Sequence, residues 1–246
     1  MIRVIQENTK LGIIVVMNAN NAPAENGVCV YCGNLATTED HVPPQNIFPK
    51  NTLGLIKVPA CFNCNNDSSK DDEFFRTVLV NDDRIEKHPE AAEIVATYTR
   101  SLQRPQARGL RISTLRNRTR FPLISPAGII HGEGTALKTD FIRERKVIER
   151  VVKGLFYHEF QRPHPNENSM SVFSSRHMGE GREAMDSVLE LISFIKPENK
   201  KTIGNEVFSY GYAIADDHQN GTFWVLTFYK AMPIFVWSVP VSPPIE

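Results

Sequence analysis

Apolar and polar positions change their period several times along this chain. From residue 140 to 160 the apolar ones recur every three to four residues. Phe141, Ile148, Val151, Val152, Leu155 and Phe156 fall on one face, and Arg143, Arg145, Lys146, Arg150 and Lys153 on the other. That pattern predicts a helix with one buried stripe, capped by Asp140 and ended by Pro163 and Pro165. The same period predicts a helix over residues 68–80 and a helical stretch over 81–103, interrupted at His88-Pro89, with Ile94, Val95 and Tyr98 buried. A further helix is expected over 182–195, its buried side formed by Met185, Val188, Leu189, Ile192 and Ile195. Pro122, Pro126 and the glycines at 128, 132 and 134 predict a run of turns. Beyond residue 205 the pattern becomes that of strands. Residues 206–215, 222–229 and 233–239 are rich in aromatic and β-branched side chains, and 216–221 (DDHQNG) reads as a hairpin turn. The chain is therefore expected to be α+β, with a helical middle and a small antiparallel sheet at its end.

Four segments follow: a leader or linker over 1–27, a cysteine-bearing domain over 28–80, a basic and mainly helical region over 81–160, and an α+β region over 161–246 whose role the sequence leaves open. An apolar content of 41% and a charged content of 23% are those of an ordinary globular chain. No apolar run approaches the ~18 residues of a membrane-spanning helix. Residues 11–17 (LGIIVVM) faintly resemble a signal peptide, but the run is short, Glu7 sits in the would-be basic region, and Pro23 interrupts the cleavage-like triplet. An edge strand or loose leader is the expectation, with Met17 as a possible alternative start.

The four cysteines form two C-x-x-C pairs, Cys29/Cys32 and Cys61/Cys64, with 28 residues between the pairs. Each pair turns two thiolates toward one point, which suits a tetrahedral zinc held by four sulfurs. A site closed by four thiolates has no open position, so the zinc is structural. With no convincing export signal, metal ligands rather than disulfides are expected, and so a reducing, cytoplasmic location.

Any chemistry then falls to other residues. Between the pairs stands Thr38-Glu39-Asp40-His41-Val42-Pro43-Pro44. His41 is suited to general-base work near neutral pH, and Asp40, on the opposite face of an extended strand, to ligating a hard divalent cation. Asn65 or Asn66, after the last cysteine, offers a second oxygen; one of them can ligate while the other caps the next helix. The blander reading makes Asp40 and His41 a turn and a strand-end histidine satisfied by backbone. Asp71, Asp72 and Glu73 read as first-turn acids favoured by the helix dipole, and Lys70 and Arg76 as an exposed helix face.

The stretch C-V-Y-C-G…T-E-D-H-V-P-P…V-P-A-C-F-N-C-N-N…K-D-D-E-F-F-R resembles the HNH endonucleases, the zinc-containing branch of the ββα-metal nucleases, over residues 28–80. The resemblance implies a β-hairpin and helix around a single Mg2+ or Mn2+, with His41 activating water, Asp40 the adjacent metal-binding carboxylate, and Asn65 in the place of the last motif letter. The middle Asn is absent from the strand before the second knuckle (Leu53-Gly54-Leu55-Ile56-Lys57-Val58-Pro59); Asn51 and Asn46 are the nearest candidates.

Formal net charge is zero, yet residues 100–153 hold 13 Lys/Arg against 4 Asp/Glu. Within this, Arg100, Arg104, Arg108, Arg111, Arg116, Arg118 and Arg120 are uninterrupted by any acid. They are the expected phosphate contacts, with DNA the favoured partner. Some are also expected to pair with the acidic stretch 67–93. Three functions remain: a metal-dependent endonuclease, a catalytically silent zinc-stapled nucleic-acid-binding module, and a partner-recruiting protein of a defence or mobile-element system. In the last, the C-terminal half docks another protein or a second copy.

Overall fold

The computed structural model describes residues 27–174, 182–215 and 221–241. The expected leader, most of the 216–221 turn and the Met185 side chain lie outside the described residues. Among the described residues no helix is long and apolar enough to cross a membrane.

The chain opens with an antiparallel pair, β1 (Thr38–Val42) and β2 (Ile56–Ala60), in the register Asp40↔Val58 and His41↔Lys57. Helices α1 (Phe62–Asp67) and α2 (Ser69–Val80) follow directly. The middle holds α3 (Ala91–Leu102) and α4 (Arg108–Arg116), then β3 (Arg118–Ile124) and β4 (Ile130–Leu137). Next comes α5 (Phe141–Phe160), where Asp140 accepts from the Ile142 and Arg143 amides as the N-cap that its position predicts. Strand β5 (Asn168–Ser174), helix α6 (Arg182–Ser193) and strands β6 (Lys200–Ile203), β7 (Phe208–Ile214), β8 (Thr222–Phe228) and β9 (Met232–Pro240) follow among the described residues. They form a five-stranded antiparallel sheet in the order β5-β9-β8-β7-β6.

Both faces of the central strand β8 are covered, which is why it reads as nearly continuous apolar sequence. Trp224, Leu226 and Phe228 face the main core, while Phe223 packs with Phe235, Ile195 and Trp237 under α6. The two tryptophans are thus sheet-packing residues.

The main core does not stop at the expected segment limits. One cluster joins Val42, Ile47 and Phe75 of the N-terminal unit to Ile148, Val152 and Leu155 of α5 and to Trp224, Phe228 and Val236 of the sheet. Helix α5 is the common neighbour, packing on α2, β1, β2 and β5. It approaches β1 closely at Gly154, where a Cβ would stand 2.5 Å from Val42 Cγ2.

Residues 118–137 are a correction to the sequence reading. They are a β-ribbon, not a run of turns. β3 pairs with β4 alone, so Pro122 is tolerated on a strand with no second neighbour to bond. Gly134 and Gly132 lie beneath Phe121 and Leu123, whose side chains fill the space their missing Cβ atoms leave.

Candidate functional site

The four cysteine sulfurs converge. Cys29, Cys32, Cys61 and Cys64 place Sγ atoms within 4.8 Å of one another. The Cys32–Cys61 separation of 3.7 Å is close to the ~3.8 Å edge of a tetrahedron with Zn–S bonds of ~2.3 Å. It is far beyond a disulfide bond. The first knuckle is closed by backbone, Cys29 N–H donating to Asn34 O (2.7 Å) and Gly33 N–H to Cys29 O (2.9 Å). Gly33 supplies the positive φ of +77° that this turn requires. The second knuckle starts α1: Cys61 is its N-cap, and its sulfur accepts from the Cys64 amide. A backbone N–H from Asn34 lowers the Cys32 thiol to about 7, whereas burial and the neighbouring sulfurs raise that of Cys64. A dication at the centre would relieve that crowding, so the cluster is compatible with structural zinc.

Strand alternation sends Asp40 and His41 to opposite faces of β1. Asp40 turns inward and is 6% exposed. Its Oδ2 accepts from the Tyr31 hydroxyl (2.7 Å) and from Arg150 Nη1 (2.7 Å). The same guanidinium donates to Ser68 Oγ (2.6 Å) and to Asp72. Two carboxylates therefore share one guanidinium contributed by α5, leaving one formal negative charge. Burial raises the Tyr31 hydroxyl pKa, and the adjacent Asp40 carboxylate adds to the effect, so Tyr31 stays a neutral donor. Burial also raises Asp72, against the pull of Arg150.

His41 faces outward beside Lys57, which pairs with Glu39 at 3.0 Å. Partial burial and then Lys57 lower its pKa below the ordinary 6.5, with Asp40 and Glu39 opposing. The imidazole is therefore neutral at neutral pH, as a general base must be.

Asn65 lies inside α1 rather than capping a helix. Its Nδ2 donates to Glu39 O (3.0 Å) and Thr38 Oγ1 (3.2 Å), tying the helix to the strand of the Asp-His pair. Both bonds use the amide nitrogen, so the carbonyl oxygen is left for another partner. Asn51 sits at φ +62° in an exposed turn and makes no hydrogen bond, to His41 or any other residue, among the described residues. Asn46 bonds Glu73 at 3.4 Å, with its Oδ1 buried and unpartnered.

Sequence reading misses Tyr31 and Arg150, the partners of Asp40, and Ser68 and Asp72, which share Arg150 with it. Asp72 is indeed a first-turn residue of α2, but it turns toward Arg150. Arg150 reads as one of several exposed cations of α5, yet its side chain is 12% exposed. Nothing in its spacing distinguishes it from Arg145. Arg76 is a second correction. It is buried, not on an exposed face, and lies 5.2 Å over the Tyr98 ring while donating to Ser101. Beside the Asp40 cluster, Tyr31, Cys64, Lys146, Glu149, Arg150 and Lys153 line an open cleft of about 210 Å³.

All seven arginines from Arg100 to Arg120 are exposed. Arg118 donates to Asn81, Arg120 pairs with Glu133 at 3.6 Å, and Arg100 donates to Thr97. Of the seven only Arg120 has an ion pair, and Arg104, Arg108, Arg111 and Arg116 make neither an ion pair nor a side-chain hydrogen bond among the described residues. The expected pairing with the acidic stretch comes instead from α5, through Arg143–Asp71 (2.6 Å) and Arg150–Asp72.

A scan against protein-family models and searches of curated proteins and of solved structures found no match to this chain.

Proposed function

We propose that the chain is a metal-dependent endonuclease of the HNH type, hydrolysing phosphodiester bonds in nucleic acid, with DNA the favoured substrate. The observation that carries this reading is the strand-strand-helix order closed by four sulfurs, in which Asn65 is hydrogen-bonded to the strand of Asp40 and His41. The His41 imidazole would accept a proton from water as the water oxygen attacks phosphorus and the bond to the leaving oxygen breaks. Asp40 Oδ1, without a hydrogen bond among the described residues while Oδ2 is oriented by Tyr31 and Arg150, and Asn65 Oδ1 would hold a divalent cation. A ligating carboxylate steadied through its other oxygen is a common arrangement. Such a cation, when bound, neutralises charge on the scissile phosphate and the leaving oxygen. Lys146 and Lys153 in the adjacent cleft suit the flanking phosphates.

A second reading, a zinc-stapled module that binds nucleic acid without cutting it, is favoured by the same cluster. Arg150 already gives Asp40 and Asp72 a positive partner, and among the described residues no Asn hydrogen-bonds His41.

Plasmid cleavage with Mg2+ or Mn2+ separates the two. On the first reading His41→Ala abolishes cleavage while folding and zinc content stay intact; undiminished cleavage by that variant removes it. Wild-type rates are expected to fall as pH drops through a pKa below 6.5 and to be flat above it, because only the neutral imidazole accepts a proton. Salt-sensitive binding with no metal-dependent product supports the second reading.

A further inference from the structure

The ribbon β3–β4 stands apart from both other sheets. Every residue of β3 is exposed, and most of β4 is. Its tip is a closed turn, with Ser125 N–H donating to Ile129 O (2.9 Å), Gly128 N–H to Ser125 O (2.8 Å), and Gly128 at φ +80°. That turn presents apolar side chains to solvent: Ile124 is 57% exposed, Ile129 and Ile130 are 65% each, and Pro126 is exposed beside them. A soluble protein seldom exposes four such neighbours without a use for them. The root carries the opposite chemistry. From Ile94 to Gly132 the chain has seven arginines and no acidic residue. Six of those arginines, all but Arg120, have no ion-pair partner among the described residues, and Arg118 sits where the ribbon leaves α4.

A two-stranded antiparallel ribbon is of a width that a DNA groove admits. Apolar wedges at the end of such arms open base steps, while cations behind them hold the phosphates. We propose that residues 118–137 are an arm that enters a groove of duplex DNA, with Ile124, Pro126, Ile129 and Ile130 as the wedge and Arg108, Arg111, Arg116 and Arg118 on the flanking phosphates. The ribbon's one acid, Glu133, is taken up by Arg120, and Asp82, Asp83 and Glu86 border the root only on the side of Arg118. The remaining arginines behind an apolar tip are complementary to a polyanion with stacked bases, and a protein partner would not call for arginine alone. This arm rests on the nucleic-acid reading above but not on cleavage.

The test uses the full-length, zinc-loaded protein and a short duplex labelled at both ends, without Mg2+ or Mn2+, so that binding and bending are read apart from hydrolysis. The Ile129→Ser/Ile130→Ser variant changes only exposed side chains, and circular dichroism and zinc content check its folding. It is expected to lose about tenfold in duplex affinity and the energy-transfer change that reports bending, with an unaltered salt slope. Arg111→Gln/Arg116→Gln is expected to reduce the log–log salt slope by about 2 while retaining bending. Unchanged affinity and bending in the tip variant overturn the arm while leaving nucleic-acid binding in place. Failure of the wild-type protein to bind any nucleic acid at low salt overturns both. A tip variant that loses self-association in light scattering, with DNA binding intact, assigns the tip to contact between copies and also overturns the proposal.

Discussion

Arg150 holds two buried carboxylates, and removing it strands both. Asp40 and Asp72 side chains are 8% and 13% exposed, so Arg150→Ala is expected to cost about 3–5 kcal/mol in urea unfolding near pH 7. The gap between variant and wild type should narrow as pH falls through the raised pKa of Asp72, because a protonated carboxyl no longer needs the guanidinium. A gap that does not depend on pH would mean that lost packing, not charge, is measured. His164 gives a second handle. It is buried against Ser238 Oγ at 2.8 Å, and burial, then Lys153, lowers its pKa from 6.5 to about 4. The unfolded chain takes up a proton near pH 6.5 that the folded chain refuses until about pH 4. Stability from this group is therefore complete above that window and lost as pH falls through it. His164→Gln should lack that portion of the pH dependence. Sequence alone makes the cysteines legible, because four soft ligands of one kind at paired spacing suit a metal and little else. Arg150 is not legible, because its meaning depends on which face of α5 meets residues 110 and 78 positions earlier. Periodicity assigns a face but not the partner.

Elements are legible where one period persists. Helices α2 and α5 fall within a residue of their expected limits, as do β7, β8 and β9 within two, because each carries a long, uniform apolar pattern. β5 and β6 carry no such signal, since Asn168–Ser174 and Lys200–Ile203 alternate small or polar residues with few aromatics. The ribbon is hidden because Pro and Gly mark turns in most contexts, and only the packing of Phe121 over Gly134 reveals otherwise. The junction of α5 with β1 can be tested by size. Gly154→Ala places a methyl in the space of Val42 and should cost about 1–3 kcal/mol in chemical denaturation, part of which Val42→Ala recovers. Additive losses in the double variant would show that the two elements are not in tight contact. If the four cysteines hold zinc, chelating it should release the hairpin from α1, measured as lost helical signal and faster amide exchange at β1 and β2. Unchanged exchange would show that packing alone holds the unit.

At the scale of the molecule, the four-cysteine unit, a helix and a sheet share one hydrophobic cluster. Calorimetry should therefore show a single cooperative transition, and residues 27–80 expressed alone should not hold their structure, having lost the partners of Val42, Ile47 and Phe75. Two separate transitions would instead mark independent units. The expected division at residues 80 and 160 follows changes in composition along the chain, and composition does not record which apolar faces meet.

The Tyr229 hydroxyl donates to Ile47 O at 2.6 Å across 182 residues, and Gly204 lies against Phe48 and Thr52 of the same loop. The loop joining β1 to β2 is thus propped by the β6–β7 and β8–β9 turns, which are synthesised long after it. At ribosomal speeds of about 5–20 residues per second, the loop waits roughly ten to forty seconds for its support. Arg150, too, reaches Asp40 only after 110 further residues. A nascent chain bearing the cysteines and the Asp-His pair therefore emerges with that corner unassembled. Assembly of this corner is tied in time to synthesis of α5 and the five-stranded sheet, and a product terminated before them would carry the cysteine pairs and the Asp-His pair without their support.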